Sequence, residues 1–272
     1  MSLRKALVES VRSRCSGSLQ VKLKTLLKPP ATETKVSPFT VAVLENGAIG
    51  ISYNLFHGED EAMARYRQWS LEKLSGKKAG ELMEWVLSTD LLQRTVGLAV
   101  LNALSQHYLN NHPQHYRIDA SSDLFEVMKL DKSSRVGLVG YFRPLLARLQ
   151  EKAGKVIVLE KSRDLLQGSY PFTMTDDPTA LRHCDKILIT ATTVTNDSLP
   201  RLMPQCAKAN FVGIMGPTAG FLPDALFDLG IHAVGYSQIE NSELFLQRFS
   251  SGIKWGDATR KVWVLADKQR SS

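Results

Sequence analysis

Several short groups of residues in the second half of the chain are of types that hold a polar ligand, and each follows an apolar, strand-forming run. Gly140-Tyr141-Phe142-Arg143 follows residues 136–139, Glu160 follows 156–159, and Thr190 to Asn196 closes the run 186–190. Gly216-Pro217-Thr218 follows 211–215, and Tyr236 to Glu240 follows 233–235. In open α/β sheets, ligands bind outside the carboxyl ends of the strands, where the strand order switches. Thr192, Thr193, Thr195 and Asn196 place hydroxyl and amide groups ahead of an expected helix, a position suited to an anion or polar ligand. The same residue types also serve as ordinary caps and turns. Gly216-Pro217-Thr218 leaves room for a ligand beside the backbone and is equally plain turn chemistry. Glu160 stands where an acidic residue often binds a ribose hydroxyl; a solvated strand-end carboxylate is the alternative.

The dinucleotide fingerprint is incomplete. It calls for a second glycine that lets the backbone approach a pyrophosphate and a third that lets the helix pack closely. Counted from Gly137 those places hold Val139 and Phe142, and counted from Gly140 they hold Phe142 and Leu145. Side chains of that size obstruct a pyrophosphate, so a ligand of another shape is expected at the crevice.

No Ser-His-Asp or Cys-His pattern for nucleophilic catalysis stands out, and no cofactor is named by the spacing. His183-Cys184 has no CxxC or HxxxH companion of the kind a structural zinc site uses. His107, His112 and His115 crowd a polar stretch, 109–117, that reads as an interdomain linker and lacks the fixed frame a metal needs. Asn102 is different. It lies between apolar neighbours inside a long helical pattern, where a buried amide must find partners, either in a structural bond or in a ligand.

The elements that position these groups fall into two sets. Runs 39–44 and 48–55 are joined by Glu45-Asn46-Gly47, a hairpin signal that makes them antiparallel neighbours. Helices at 79–87 and about 91–108 follow, the second with Thr89 or Asp90 as N-cap. Strands followed by helices indicate an α+β unit over 1–117. From 118 to 272 strands and helices alternate, which indicates a doubly wound parallel sheet, so the fold class is α/β.

Composition sets further bounds. With 272 residues, 43% apolar and 22% charged, the chain is expected to be a soluble, cytoplasmic globular protein. No apolar run approaches the length of a membrane span. Cys15, Cys184 and Cys206 are few and far apart, as in a reduced compartment. Most of the net charge of +7 comes from the first 28 residues, where seven Lys or Arg face Glu9 alone. The rest is nearly neutral, which speaks against nucleic acid as a partner. Leu3, Leu7, Val8 and Val11 recur at helical spacing, so this segment is expected to be a basic amphipathic helix, either a targeting or membrane-surface segment or, more commonly, one packed on its own domain with its charges in water. An exposed hairpin edge in a small first domain favours a homodimer.

Three stretches together carry a resemblance: Gly137-Leu-Val-Gly-Tyr-Phe142, residues 190–196, and Gly216-Pro-Thr-Ala219 followed by residues 227–231. They resemble a family of unknown function labelled putative heavy-metal chelation. Residues 50–53 and 97–103 extend the likeness into the first half. The family pattern has a serine where Thr218 stands, and Arg143 precedes the helix proline here. The resemblance implies an enolase-N-terminal-like domain, a Rossmann-like domain and a cleft between them. On this reading the ligand is a small molecule or metal chelate. Its candidate residues are Gly140, Tyr141, Phe142, Glu160, Thr192, Thr193, Asn196, Gly216, Pro217, Thr218 and Asn102. An enzyme using a nucleotide or S-adenosyl ligand, and a regulatory scaffold without chemistry, remain the alternatives.

Overall fold

The computed structural model describes residues 1–28, 38–56 and 60–267. Two sheets organise them. The smaller is antiparallel and formed by β1 (Leu23–Leu27), β2 (Phe39–Leu44) and β3 (Ile49–Tyr53), in that order. The expected hairpin joins β2 to β3, and the Gly47 amide donates to the Leu44 carbonyl at 3.0 Å.

The larger sheet contains β4 (Arg117–Asp119), β5 (Arg135–Val139), β6 (Lys155–Leu159), β7 (Thr173–Thr175) and β8 (Lys186–Thr190). It is completed by β9 (Phe211–Met215), β10 (Ala233–Ile239) and β11 (Thr259–Leu265). Across the sheet the order is β4-β11-β10-β9-β8-β5-β6-β7. The strands β5 to β10 are parallel. Numbered in chain order, these six run 3-2-1-4-5-6, the doubly wound order, with its switch between β5 and β8. β11 and β4 add an antiparallel flank. The molecule is therefore mixed α/β.

Four features depart from the pattern read in the sequence. The stretch expected as a linker is mostly structured: the long helix runs Leu91–Asn111, a 3-10 turn covers Pro113–His115, and β4 joins the large sheet at once. β7 has only three residues and too little apolar signal to be legible, yet it pairs with β6. β10 and β11 extend to seven residues each because they hydrogen-bond to one another along their whole length.

The N-terminal helix, Leu3–Arg14, is the fourth. Its apolar face is buried as the spacing predicts, but in a single apolar cluster that also holds Val96 and Leu104 of the long helix and Val194, Leu226 and Tyr236 beyond it. Its arginines form ion pairs, Arg12 and Arg14 while still exposed, and Lys5 faces water as expected. Arg4 meets Asp197 at 2.8 Å and Arg14 meets Asp224 at 2.8 Å. The core is thus continuous across both sheets, and neither buries its apolar face alone.

The long helix is the centre of this arrangement. Asp90 caps it, accepting from the Leu92 and Gln93 amides. From Thr95 to Ser105 every residue is buried, so this helix is wrapped on all sides rather than amphipathic. The hairpin presses onto it at Gly50. A Cβ there would lie 2.1 Å from the Ala99 carbonyl oxygen and 2.2 Å from the Ala103 amide, so no other residue fits.

Candidate functional site

The candidate residues separate into two places. The first is the crest formed by the tips of β5, β6, β8 and β9. Gly140 turns the chain out of β5 at φ +96°, a conformation glycine adopts freely, and its amide donates to the Leu159 carbonyl at 2.9 Å. Phe142 starts the helix Arg143–Lys152 without a side-chain cap, and its ring lies 3.6 Å from where a Cβ of Gly140 would be. The Tyr141 ring leans on Tyr170, with centroids 6.1 Å apart.

Glu160 is fully engaged by main chain. One carboxylate oxygen accepts from the Tyr141 amide at 3.0 Å; the other accepts from Lys161 at 2.7 Å and Ser162 at 3.2 Å. It ties the tips of β5 and β6 together. The threonines are similarly occupied. Thr193 is buried and donates to the Thr190 carbonyl at 2.7 Å, while the half-buried Thr192 hydroxyl lies 3.1 Å from that of Thr190. Residues Thr192–Thr195 form the helical turn themselves rather than preceding one. Asn196 is exposed and accepts from the Ser198 amide at 3.1 Å.

The second place lies where the two sheets meet. Asn102 is 1% exposed, and its Nδ2 donates to the Ile51 carbonyl at 2.7 Å and to the Thr218 carbonyl at 2.9 Å. Thr218 answers in the other direction, its hydroxyl accepting from the Tyr53 amide at 2.9 Å. Gly216, at φ +138°, and Pro217 turn the chain out of β9 so that Thr218 reaches the hairpin. The two bonds from Nδ2 settle the orientation of the Asn102 amide. Its Oδ1 is buried and has no hydrogen-bond partner among the described residues.

Asn102 lines a cavity of about 200 Å³. The hairpin supplies one side through residues 46–51, the long helix supplies Gln106, His107 and Asn110, and Pro217, Gly220, Ser237, Ile239 and Ser242 close the other. Of the candidates, Asn102 and Pro217 line this cleft, and Thr218 and Gly216 shape it from behind. Gly140, Tyr141, Phe142, Glu160, Thr192, Thr193 and Asn196 belong to the crest instead. The two places adjoin: a Cβ on Gly216 would lie 3.8 Å from that of Ala191, which follows β8 directly.

A family model described as putative heavy-metal chelation, DUF364, matches residues 123–266, more than half of the chain. The chain belongs to this family. A second model with the same description, DUF4213, matches residues 36–105 of this DUF364 protein. A solved DUF364 structure of unknown function from Pyrococcus horikoshii superposes with a TM-score of 0.73 at 20% identity, covering 97% of this chain and all of that one. Another, from Desulfitobacterium hafniense, gives a TM-score of 0.70 at 18% identity over 96% of this chain and 99% of that one. An uncharacterised protein of Methanocaldococcus jannaschii is 26% identical over 191 residues, 68% of this chain and 71% of its own.

The DUF364 cleft includes residues that the sequence reading passed over. Asn102, Gln106 and Asn110 recur every fourth residue, one stripe of amides along the long helix, and that spacing was the available signal. Gln106 donates to the Gly220 carbonyl at 2.8 Å, a second link from the helix to the turn after β9. The cysteines lie elsewhere. All three are buried and donate weakly to carbonyls, and burial pushes the thiols of Cys15 and Cys206 up to about 12 and that of Cys184 to about 11. Among the described residues no three His, Cys, Asp or Glu side chains converge as a metal site, and no helix is long and apolar enough to cross a membrane.

Proposed function

We propose that this DUF364 protein binds a small polar organic molecule in the cleft between the hairpin, the long helix and the ends of β9 and β10. On this reading a heavy metal reaches it already held in an organic chelate. The observation that carries the reading is a cavity lined by Asn102, whose Oδ1 lies buried behind that wall without a hydrogen-bond partner among the described residues. Such atoms are rare because desolvating an amide oxygen is costly, and a small shift of the side chain that brings Oδ1 to a donor in the cleft relieves the cost.

The donor set supports a chelate over a bare ion. The polar side chains that line the cleft are amides, hydroxyls and one imidazole, without thiolate or carboxylate. A soft heavy-metal ion prefers thiolate and several converging imidazoles, whereas amides and hydroxyls suit the polar rim of an organic ligand. A nucleotide or S-adenosyl ligand on the crest has less support, because Glu160 already accepts three main-chain N–H groups and Phe142 packs toward Gly140.

The test blocks the cleft. Ser242 is exposed at its mouth, so Ser242→Trp should fill the opening without disturbing the core. A melting-temperature screen of metal chelates, nucleotides and S-adenosyl compounds should find a ligand that stabilises the wild type and not this variant. A ligand that stabilises both equally would place the site elsewhere.

A further inference from the structure

The β10 wall of the cleft receives positive charge from β11. Lys261 Nζ donates to Ser237 Oγ at 3.0 Å, the two being cross-strand partners, and Ser237 lines the cleft. One position along, Arg260 donates to Gln238 at 3.3 Å, and Gln238 donates at 2.8 Å to Oδ1 of Asn110, a lining residue on the long helix. One cation thus touches the cleft lining directly at Ser237, and a second is linked to it only through Gln238.

The balancing charges are unequal. Arg260 is shared with Glu240, at 3.1 Å. Among the described residues no Asp or Glu pairs with Lys261, and no carboxylate lines the cleft. Much of the Lys261 side chain lies at the surface, yet the crowding around its ammonium lowers its pKa. An ammonium that has lost part of its water and, among the described residues, has gained a serine hydroxyl and no carboxylate is stabilised by an anion that enters beside it.

We infer that the cleft takes an anionic ligand, a small organic molecule bearing carboxylates or phosphate, which Lys261 holds by charge at the Ser237 end. The inference rests on the cleft reading above. It adds the ligand's charge and the residue that selects it. It also explains how a chelation role and a cleft without metal ligands agree: a metal bound by a polycarboxylate travels as an anion.

Calorimetric titration with citrate, nickel citrate and glucose 6-phosphate, beside the uncharged triethyl citrate and glucose, separates the outcomes. The expected result is millimolar or tighter binding of at least one anion and not of its uncharged counterpart. The carboxylate and phosphate arms tell which oxyanion is preferred. Lys261→Met should weaken that binding by about tenfold or more while Lys261→Arg keeps most of it, and added salt should weaken it further. Both variants sit on a surface position and should melt like the wild type.

If Ser242→Trp abolishes binding but Lys261→Met does not change it, the cleft reading stands and the charge inference falls. If anion binding survives Ser242→Trp, both fall. If none of the three anions binds at millimolar concentration, the charge inference falls, and a neutral ligand stopped by Ser242→Trp would still support the cleft.

Discussion

Asn102 and Thr218, more than a hundred positions apart in the chain, are joined by a 2.9 Å hydrogen bond from the asparagine amide to the threonine carbonyl. The same Nδ2 holds Ile51, so one side chain links the hairpin, the long helix and the turn after β9. Asn102→Leu should therefore leave two buried carbonyls unpaired and cost about 2–4 kcal/mol of stability, as for other broken buried networks. Urea unfolding measures it. A loss below about 1 kcal/mol would mean that water or a neighbour replaces the amide.

Gly50→Ala should be among the most damaging small substitutions in the protein. The added methyl meets the main chain of the long helix, which cannot rotate away as a side chain would. The expected cost is about 3 kcal/mol or more, with weakened ligand binding because Gly50 also lines the cleft. A variant with wild-type melting temperature would contradict the close packing of hairpin on helix.

Glu160→Gln and Glu160→Ala distinguish a structural carboxylate from a ligand-binding one. Glutamine retains a single acceptor oxygen and alanine none, while three amides need partners. Stability should fall in the order wild type, glutamine, alanine, with about 1–3 kcal/mol for the last. Ligand affinity in the cleft should hardly change. A loss of affinity without loss of stability would return Glu160 to the ligand site.

His232 supplies a pH dependence. Burial holds its pKa below the ordinary 6.5, and its Nδ1 accepts from the Val212 amide at 3.0 Å, which requires the unprotonated nitrogen. The folded pKa is depressed, so the unfolded state takes up a proton that the folded state refuses. The stability contribution is complete above pH 6.5 and is lost as the pH falls from there toward the folded pKa. His232→Asn keeps an acceptor without the titration. Its melting temperature should decline less steeply than that of the wild type below pH 6.5, and equal slopes would remove His232 from the acid response.

Cys15, Cys184 and Cys206 should react slowly with a disulfide reagent at pH 8 in the folded protein and all together on unfolding. They are buried and their thiols are held above their usual pKa. One rapidly titrating thiol in the native state would show an opening that the fold does not have, and would revive cysteine as a metal ligand.

What the sequence determined by itself was local. The apolar runs ending at Val139, Leu159, Thr190 and Met215 are strands because consecutive apolar, β-branched residues bury both faces of a parallel sheet. Asn46-Gly47 turned the hairpin, and Asp90 started the long helix, because each makes its bonds within a few residues. The alternation of these elements was enough for an α/β class with a small antiparallel companion sheet. Tertiary structure decided the rest. β7 exists because β6 offers it a partner, and Glu160 became a tie between two loops because their amides converge on it. The cleft brings together residues 46–51, 102–110, 217–220 and 237–242, four segments with no local relationship. Only packing Gly50 against Ala99, and the strand order that sets β9 beside β10, carry Asn102, Pro217 and Ser237 to the same cavity. A buried acceptor without a partner is a property of that assembly, so it could be seen only in the folded chain.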